Sequence, residues 1–242
     1  MQNLSDQNLW LNIDKPIGIS SARAVAIVKR MTGAKKVGHG GTLDPFASGI
    51  LPIALNKATK TSEALMRARK KYSFHITWGE FRDSDDIEGK ITESSSDRPT
   101  NAQIISAICF FVGKIKQTPS RFSAIKINGK RAYELARKDV EFEVPQREVE
   151  ILSINFLSNS AEFGEFEIEC SKGTYVRSLA RDLCRKMGVC GYVSKLTRLQ
   201  VGKFSYQKRI SLDALKSFTT YGGRFSDGSL LSLQDVKFDD LN

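Results

Sequence analysis

Hydrophobic and polar positions alternate with two different periods along this chain, and each period predicts one kind of element. Between residues 71 and 79 every second residue is large and apolar, which is typical of a strand that buries one face. Residues 50–55 form an apolar run with the length of a fully buried strand. Further strands are predicted at residues 9–13, 140–144, 149–157, 163–170 and 192–201.

Helices are predicted where a capping residue precedes apolar residues spaced three or four positions apart. Ser20 or Ser21 caps a helix that ends near Gly33, and Thr100 caps one that closes at Gly113. The remaining segments are shorter helices at residues 59–66, 130–138, 178–187 and 211–217, a glycine-rich loop at 221–229 and a last apolar stretch at 230–236.

Length and composition predict a soluble globular protein. With 242 residues the chain is long enough to bury a core, either as one large domain or as a domain with a small appendage. No apolar run has the length of a membrane span. Residues 1–8 lack the basic and apolar regions of a secretory signal. We therefore predict a cytoplasmic protein.

Cysteine and histidine are too few and too scattered to predict a metal site. The four cysteines form no C-x-x-C pair, and the chain contains only two histidines. Reduced, buried thiols are the simple interpretation. The acidic residues Asp83, Asp85 and Asp86 lie in a predicted loop, but they lack the spacing of an EF-hand. We predict no metal and no cofactor.

A net charge of +10 indicates the kind of partner that the protein binds. It arises from 37 Lys and Arg residues against 27 Asp and Glu residues. Such an excess favours a polyanion, because neutralising phosphates releases counterions and supplies much of the affinity for RNA. Charge alone does not separate RNA-binding proteins from other basic proteins.

Candidate chemistry lies in the glycine-rich stretch that precedes the apolar run of residues 50–55. The stretch begins at Gly38 and reads G-H-G-G-T-L-D-P, with Asp44 directly before Pro45. Proline keeps the preceding residue out of a helix, so Asp44 is expected on a tight loop held by the following strand. Two interpretations stay open from spacing alone: Asp44 caps a backbone amide in a turn, or it is a carboxylate placed for chemistry.

The stretch from Gly38, G-H-G-G-T-L-D-P-F-A-S-G-I-L, resembles the catalytic signature of the TruB family of tRNA pseudouridine synthases, G-H-x-G-T-L-D-P-x-A-x-G-x-L. Other strings also resemble this family, namely D-K-P-x-G-x-S-S from Asp14, P-S-R-F-S-A-I-K from Pro119 and C-S-K-G-T-Y-V-R from Cys170. The resemblance covers residues 9–215. It implies an α/β (α+β) protein with the pseudouridine synthase fold, a mixed, largely antiparallel central sheet flanked by helices and loops.

The resemblance also implies roles for individual residues. Asp44 matches the essential catalytic carboxylate of the family, Arg177 matches an arginine that pairs with it, and Tyr72 matches a tyrosine that packs on the target base. Lys15 matches a residue of the active-site floor, and Asp86 one that orients its partners. The residues predicted to bind substrate or RNA are Lys15, Lys35, Lys36, His39, Lys60, Asp86, Tyr175 and Leu196.

Two of these residues would act on the RNA around the target uridine. The family's histidine at the position of His39 fills the gap that an extruded base leaves in the RNA loop. Its apolar residue at the position of Leu196 lies under the uracil ring. For Lys35 and Lys36, a solvated basic surface and a contact with phosphate are both open.

The reaction that the resemblance implies is isomerisation of the uridine at position 55 in the T loop of tRNA. It breaks the glycosidic bond, turns the uracil and rejoins it through C5, without a metal or cofactor. We predict the T arm of tRNA as the partner of a monomeric enzyme that needs no protein partner. Residues 1–210 are expected to form the catalytic domain. Residues 211–242 form a short extension, too small for the RNA-binding PUA domain of many bacterial members.

Two alternatives and one departure from the family pattern remain. A non-catalytic tRNA-folding factor would use the same surface, but it would not need Asp44, Tyr72 and Arg177 together. A guide-RNA-dependent synthase is disfavoured by the short chain. The family commonly has Thr where this chain has Gly40, and the loss of that side chain predicts a looser loop.

Overall fold

The structure is a computed structural model that describes residues 4–127, 129–221 and 229–232. Its chain folds into two compact units. The first unit comprises the residues up to Tyr72 and those from Leu196 onward, and the second comprises Ser73–Lys195. Within the described ranges, no helix is long and apolar enough to cross a membrane.

Strands and helices alternate irregularly along the chain. The elements are β1 (Leu9–Lys15), α1 (Ser21–Thr32), β2 (Val37–His39), β3 (Ser48–Leu55), α2 (Ser62–Arg67), β4 (Lys70–Trp78), β5 (Glu80–Arg82), β6 (Ile91–Ser94), α3 (Asn101–Ile108), β7 (Gly113–Gln117), β8 (Lys126–Ile127), β9 (Lys130–Arg131), α4 (Ala132–Ala136), β10 (Arg147–Asn159), β11 (Phe163–Cys170), α5 (Val176–Met187), β12 (Gly191–Val201), β13 (Phe204–Ser205), β14 (Ile210–Ser211), α6 (Leu212–Tyr221) and β15 (Leu230–Ser232). Short 3₁₀ helices precede α2, follow α3 and follow β13.

The first unit is built on a mixed sheet whose central strand is β3. Strand β1 runs antiparallel to β3, and β2 also runs antiparallel to β3. Strand β12 adds a parallel pairing, with Thr197 opposite Ser48 and Arg198 opposite Gly49. Strand β14 lies parallel to β1, and β15 lies antiparallel to it.

Both faces of β3 are buried, which explains the continuous apolar run in its sequence. Leu51 and Ile53 belong to a core cluster that includes residues of α1 and α6. On the opposite face, Ile50 and Ala54 pack in a second cluster with Trp10. A strand covered on both sides has no solvent-facing position, so its pattern cannot alternate.

Helix α1 begins and ends as its capping residues predict. The Ser20 hydroxyl accepts a hydrogen bond from the Arg23 amide at 3.1 Å. Gly33 ends the helix with a φ of 68°, and its amide donates to the Lys29 carbonyl oxygen. These two caps fix the length of α1 and so set where the chain enters β2, directly before the glycine-rich stretch.

The second unit contains a sheet with the strand order β12-β4-β11-β10-β7, in which β10 runs antiparallel to both β11 and β7. Alternating aromatic residues of the sheet form its core, where the Phe74 and Phe166 rings stack with centroids 5.3 Å apart. Helix α5 ends at Gly188, which has a φ of 73°. Thr100 caps α3 as predicted, and the side chain of Gln103 completes a capping box with it.

Two predicted elements differ from the structure. Residues 140–144 form no strand, although they alternate regularly, because no neighbouring strand pairs with them. The ring of Phe142 instead lies under the Arg121 guanidinium, 5.0 Å from it. Helix α3 ends at Ile108, before the predicted Gly113. Most of the predicted loop at 221–229, and residues 233–236, lie outside the described residues.

The predicted division into a catalytic domain, 1–210, and an extension, 211–242, stays a prediction. The described part of that extension packs in the first unit. Leu215 and Phe218 of α6 belong to the same core cluster as β1 and α1. Strand β15 extends the sheet at β1, where Leu231 lies opposite Trp10.

Candidate active site

Asp44 is half-buried on the loop between β2 and β3. The loop is pinned at both ends by main-chain hydrogen bonds. The Gly40 amide donates to the Pro52 carbonyl oxygen at 2.9 Å, and the Ala47 amide donates to the Asp44 carbonyl oxygen at 3.1 Å. Side chains from three other elements hold the residues in between, so the carboxylate is presented on a fixed backbone.

The first of these side chains is Ser21, at the beginning of α1. Its hydroxyl donates to the Leu43 carbonyl oxygen and accepts from the Leu43 amide, both at 2.9 Å. Ser21 is buried, and the sequence had assigned it only to helix capping. Since Leu43 directly precedes Asp44, this double contact fixes the peptide from which the catalytic candidate projects.

Lys15, at the end of β1, holds the other side of Asp44. Its side chain is fully buried, and its ammonium donates to the carbonyl oxygens of Pro16 and Ile19, both at 2.8 Å, and of Pro45 at 3.3 Å. The Gly18 amide also donates to the Pro45 carbonyl oxygen. Lys15 is thus brought to the residue after Asp44; its predicted part in substrate binding stays a prediction.

Arg198, on β12, is a site residue that sequence reasoning missed. Its side chain is buried, at 1% exposure. The guanidinium donates from Nε to the Ile50 carbonyl oxygen at 2.7 Å, from Nη1 to that of Thr42 at 3.1 Å and from Nη2 to that of Gly41 at 3.0 Å. A signal was present: Arg198 comes two residues after the apolar Leu196, hence on the same face of a strand.

Gly49 allows the close approach of β12 that brings Arg198 to the loop. Its φ is 101°, a conformation that residues with a side chain rarely adopt. A Cβ at this position would overlap the backbone of Arg198. The small residue and the buried arginine therefore depend on each other.

His39, at the end of β2, is half-buried beside the same loop. Its Nδ1 accepts a hydrogen bond from the Gly41 amide at 3.2 Å, so the neutral ring carries its proton on Nε2. Burial and, to a smaller extent, the charge of Arg198 lower the pKa of His39 below 6.5. Near neutral pH the imidazole is an uncharged donor at Nε2.

We expect an NMR titration to show this lowered pKa. The chain has two histidines, so substitution of His75 by Gln assigns both imidazole signals. Below pH 6.5, His39 is protonated in the unfolded chain but stays neutral in the native protein until the pH reaches its lowered pKa. The contribution of His39 to the free energy of unfolding therefore falls as the pH drops from 6.5 toward that pKa. A His39 midpoint at or above 6.5 would contradict the burial of the ring.

Gly40 does not loosen the loop as the sequence predicted. It is buried, and the space that a side chain would occupy is filled by Leu65 of α2. A Cβ at Gly40 would overlap Leu65 Cδ2 and lie 3.4 Å from Trp10 Cζ3. Tight packing thus replaces the missing side chain.

We therefore expect the substitution Gly40→Thr to lower the free energy of unfolding by about 1–3 kcal/mol, because it overpacks this space. Urea denaturation of the purified variants measures the effect. The double variant Gly40→Thr with Leu65→Ala supplies the control, since the truncated side chain on α2 makes room for the threonine. The double variant should lose less free energy of unfolding than Gly40→Thr and Leu65→Ala lose in sum. If the two losses simply add, the two side chains do not compete for the same space.

The other predicted residues of the first unit fall into two groups. Tyr72 on β4 and Leu196 on β12 are buried, at 9% and 5% exposure. Lys35, Lys36 and Lys60 are exposed. The amides of Lys35 and Lys36 both donate to the side-chain oxygen of Asn56, at 3.1 and 3.3 Å. Their backbone is fixed while their ammonium groups face solvent.

In the second unit, Arg177 and Asp86 form a buried ion pair. Arg177 Nη1 lies 2.9 Å from Asp86 Oδ2, and each side chain is 4% exposed. Arg177 also donates to the carbonyl oxygens of Ser84 at 2.9 Å and Phe122 at 3.2 Å. Asp86 Oδ1 accepts from the Ser84 hydroxyl at 2.6 Å and the Glu88 amide at 3.0 Å. Both charges are held rigidly, as a buried pair requires.

A second pair lies one helical turn further along α5. Arg181 Nη1 is 2.9 Å from Asp85 Oδ2. Asp85 has a φ of 63°, and this left-handed turn allows two consecutive carboxylates to face the same helix. Burial raises the pKa of Asp85 to about 6, outweighing the opposite effects of Arg181 and Arg177. The sequence pointed to Asp86 but not to this second pair.

Tyr175 directly precedes α5. Gln117 of β7 accepts from its amide at 2.8 Å and donates to its carbonyl oxygen at 3.1 Å. The Arg147 guanidinium lies 4.8 Å from the centre of the Tyr175 ring.

The structure brings Lys15, His39 and Asp44 together in one unit and Arg177 with Asp86 in the other, while a pairing of Arg177 with Asp44 stays a prediction. No group of three metal-ligating side chains occurs among the described residues.

Solved structures with a similar fold define the class of protein. A crystal structure of the archaeal box H/ACA sRNP Nop10–Cbf5 complex matches 90% of this chain and 56% of that chain, with a TM-score of 0.67 and 26% identity. A Cbf5–Nop10–Gar1 complex matches 90% of this chain and 57% of that chain, with a TM-score of 0.69 and 27% identity. The predicted α/β pseudouridine synthase fold is confirmed.

The chain belongs to the TruB family, since the model of the TruB family pseudouridylate synthase (N terminal domain) matches residues 29–176. It is 48% identical over 209 residues to tRNA pseudouridine synthase B of Bartonella bacilliformis, covering 86% of this chain and 65% of that protein. The protein of the same name from Bradyrhizobium diazoefficiens is 49% identical over 213 residues, covering 88% of this chain and 62% of that protein. The chain thus spans less than two thirds of the length of these relatives.

Proposed function

We propose that this protein is an isomerase that converts the uridine at position 55 in the T loop of tRNA to pseudouridine. The observation that carries the proposal is the loop of Asp44, whose backbone is fixed on both sides of a half-buried carboxylate. Relatives that are 48% and 49% identical are named tRNA pseudouridine synthase B, which supports tRNA as the substrate. The charge of +10 fits a polyanionic partner.

In the proposed reaction, the carboxylate of Asp44 faces C1′ of the target nucleotide. There it acts as the nucleophile, or it stabilises the positive charge that develops when the glycosidic bond breaks. Such a role requires a carboxylate that does not reorient during the reaction. Hydrogen bonds to Leu43 and Pro45, the two neighbours of Asp44, support this role because they hold the backbone from which the carboxylate projects.

Arg177 is assigned in this proposal to pairing with the carboxylate of Asp44, because a guanidinium forms charge-assisted hydrogen bonds with a carboxylate. Asp86 is assigned to orienting that guanidinium. The contacts with Ser84, Asp86 and Phe122 hold the Arg177 guanidinium in place, which supports a fixed electrostatic role.

The target base is proposed to leave the RNA stack before it reacts. Tyr72 and Leu196 would hold the extruded ring, since stacking on an aromatic side chain contributes about 1–3 kcal/mol per base. The Nε2 proton of His39 is a donor for the RNA loop that the base has left. Lys15 and Tyr175 would shape the site, and the exposed Lys35, Lys36 and Lys60 would contact phosphates of the T arm.

Incubation of the purified chain with an unmodified tRNA transcript, followed by mapping of pseudouridine, tests the proposal. We expect one modified position, in the T loop, without added metal or cofactor. The proposed enzyme is a monomer that acts in the cytoplasm. A transcript with cytidine at the target position is the control. Tight binding of tRNA without any conversion would overturn the proposal in favour of a tRNA-folding factor.

A comparison of kcat/KM for full tRNA and for an isolated T-arm stem-loop tests the choice of partner. If the T arm carries recognition, the two values should agree within about tenfold, which corresponds to 1.4 kcal/mol. A larger preference for full tRNA that depends on its acceptor end would contradict recognition through the T arm.

A further inference from the structure

Arg198 carries a buried positive charge whose described side-chain hydrogen bonds all go to main-chain carbonyl oxygens. The side chain is 1% exposed, and its three hydrogen bonds go to Gly41, Thr42 and Ile50. Removing an ion from water costs free energy, and three neutral acceptors compensate this cost only in part. A fully apolar side chain would serve a core strand better, so stability alone does not account for the arginine.

The geometry of the three contacts connects two segments that flank Asp44. Ile50 lies on β3, the rigid strand that follows the loop, whereas Gly41 and Thr42 lie on the loop itself. The two terminal nitrogens of the guanidinium bind two successive carbonyl oxygens, which fixes the orientation of two adjacent peptide planes. A planar fork with directed donors can do this, and a single ammonium cannot.

The contacts of Arg198 complement those of Ser21 and Lys15. Ser21 holds Leu43, and Lys15 holds Pro45, while Arg198 holds the residues that precede them. The loop from Gly41 to Pro45 is therefore fixed at four of its five residues by side chains from three separate elements. These contacts fix the backbone on both sides of Asp44.

We propose that Arg198 is a positioning residue that orients the Asp44 carboxylate by fixing the peptides of Gly41 and Thr42. This inference rests on the proposed function for its catalytic consequence, but not for its structural one. Without the guanidinium, the loop keeps its fold through Ser21 and Lys15 and loses its single orientation. A displacement of about 1 Å at a reacting group lowers a rate by about 100-fold.

The test compares Arg198→Met with Arg198→Lys and with a control, Val201→Ala. Val201 is fully buried on the same strand, and its apolar side chain can donate no hydrogen bond to the loop, so its truncation lowers the stability of the same unit without removing a hydrogen bond from the loop. We expect Arg198→Met to lower the single-turnover rate of pseudouridine formation about 10- to 100-fold. The dissociation constant for tRNA should stay within about threefold, and Arg198→Lys should recover part of the rate. Val201→Ala, with a similar fall in Tm, should retain the rate.

Two further readouts do not depend on activity. Hydrogen exchange in residues 40–47 should accelerate in Arg198→Met and not in Val201→Ala. The pKa of His39 should rise in Arg198→Met, because one of the two causes of its lowering is removed, while the signal of His75 in the other unit stays in place. If the native chain forms no pseudouridine, the proposed function fails and these two measurements still test the positioning.

Equal rates in Arg198→Met and Val201→Ala at matched loss of stability would overturn the proposal. So would unchanged exchange in residues 40–47, because the loop would then be fixed without the guanidinium. A loss that appears only in tRNA affinity would also overturn it, since it would place Arg198 in RNA binding.

Discussion

Substitution of Asp44 by Asn is expected to lower the single-turnover rate of pseudouridine formation by at least about 1000-fold. Asparagine has the shape of aspartate but no charge, so it can neither attack C1′ nor stabilise positive charge there. The fold of the loop should survive, because its described hydrogen bonds involve the main chain of residue 44 and its neighbours. The tRNA dissociation constant should change by less than about threefold, since Lys and Arg contacts with phosphate supply the affinity.

Asp213→Asn is the matched control for this experiment. Asp213 is an exposed carboxylate on α6 of the same unit, and its substitution makes the same change of charge. Its rate should equal that of the native chain. Appreciable turnover by Asp44→Asn, or an equal loss in both variants, would remove Asp44 from the proposed mechanism.

Substitution of Arg177 by Lys is expected to slow the same step by about 100- to 1000-fold. Lysine keeps the charge, but it cannot satisfy Ser84, Asp86 and Phe122 at once with the geometry of a planar fork. The partner Asp86 would then be held less rigidly in a site that is 4% exposed. Single-turnover kinetics at saturating enzyme, with tRNA binding measured separately, separates this effect from affinity.

Arg181→Lys provides a close structural control for Arg177→Lys. Arg181 lies one turn along α5, is also mostly buried and also pairs with an aspartate at 2.9 Å. Both variants should lose stability to a similar extent, because both weaken a buried ion pair. Only Arg177→Lys should lose the rate. Near-normal kinetics for Arg177→Lys would make Arg177 a structural residue of the second unit.

The local elements of the fold could be predicted well because their signals are local. Strand β11 occupies the predicted residues 163–170, and α1 lies between the predicted caps Ser20 and Gly33. Residues 140–144 show the limit of this reasoning. Their alternation matches that of a strand, but a strand needs a partner, and pairing is a property of the whole sheet.

The candidate site also has features that local sequence signals reveal and features that they do not reveal. The loop of Asp44 could be located from its glycines, its proline and the apolar strand after it. The partners that fix this loop could not, because Arg198 and Gly41 are 157 residues apart and Lys15 and Pro45 are 30 apart. Asp86 was found by resemblance, but the neighbouring pair of Asp85 and Arg181 depends on one left-handed residue that no periodicity reveals.

The sequence by itself determined the family, the long strands β1, β3, β4, β10, β11 and β12 and the position of the carboxylate on a loop. These depend on hydrophobic period, capping and a signature of neighbouring residues, all of which act over a few positions. Only the tertiary structure decided that a buried arginine holds the loop, that Leu65 fills the space beside Gly40 and that Arg177 pairs with Asp86. Each of these is a contact between segments that meet only when the chain has folded, and a side chain's role there is set by its burial and hydrogen-bond partners.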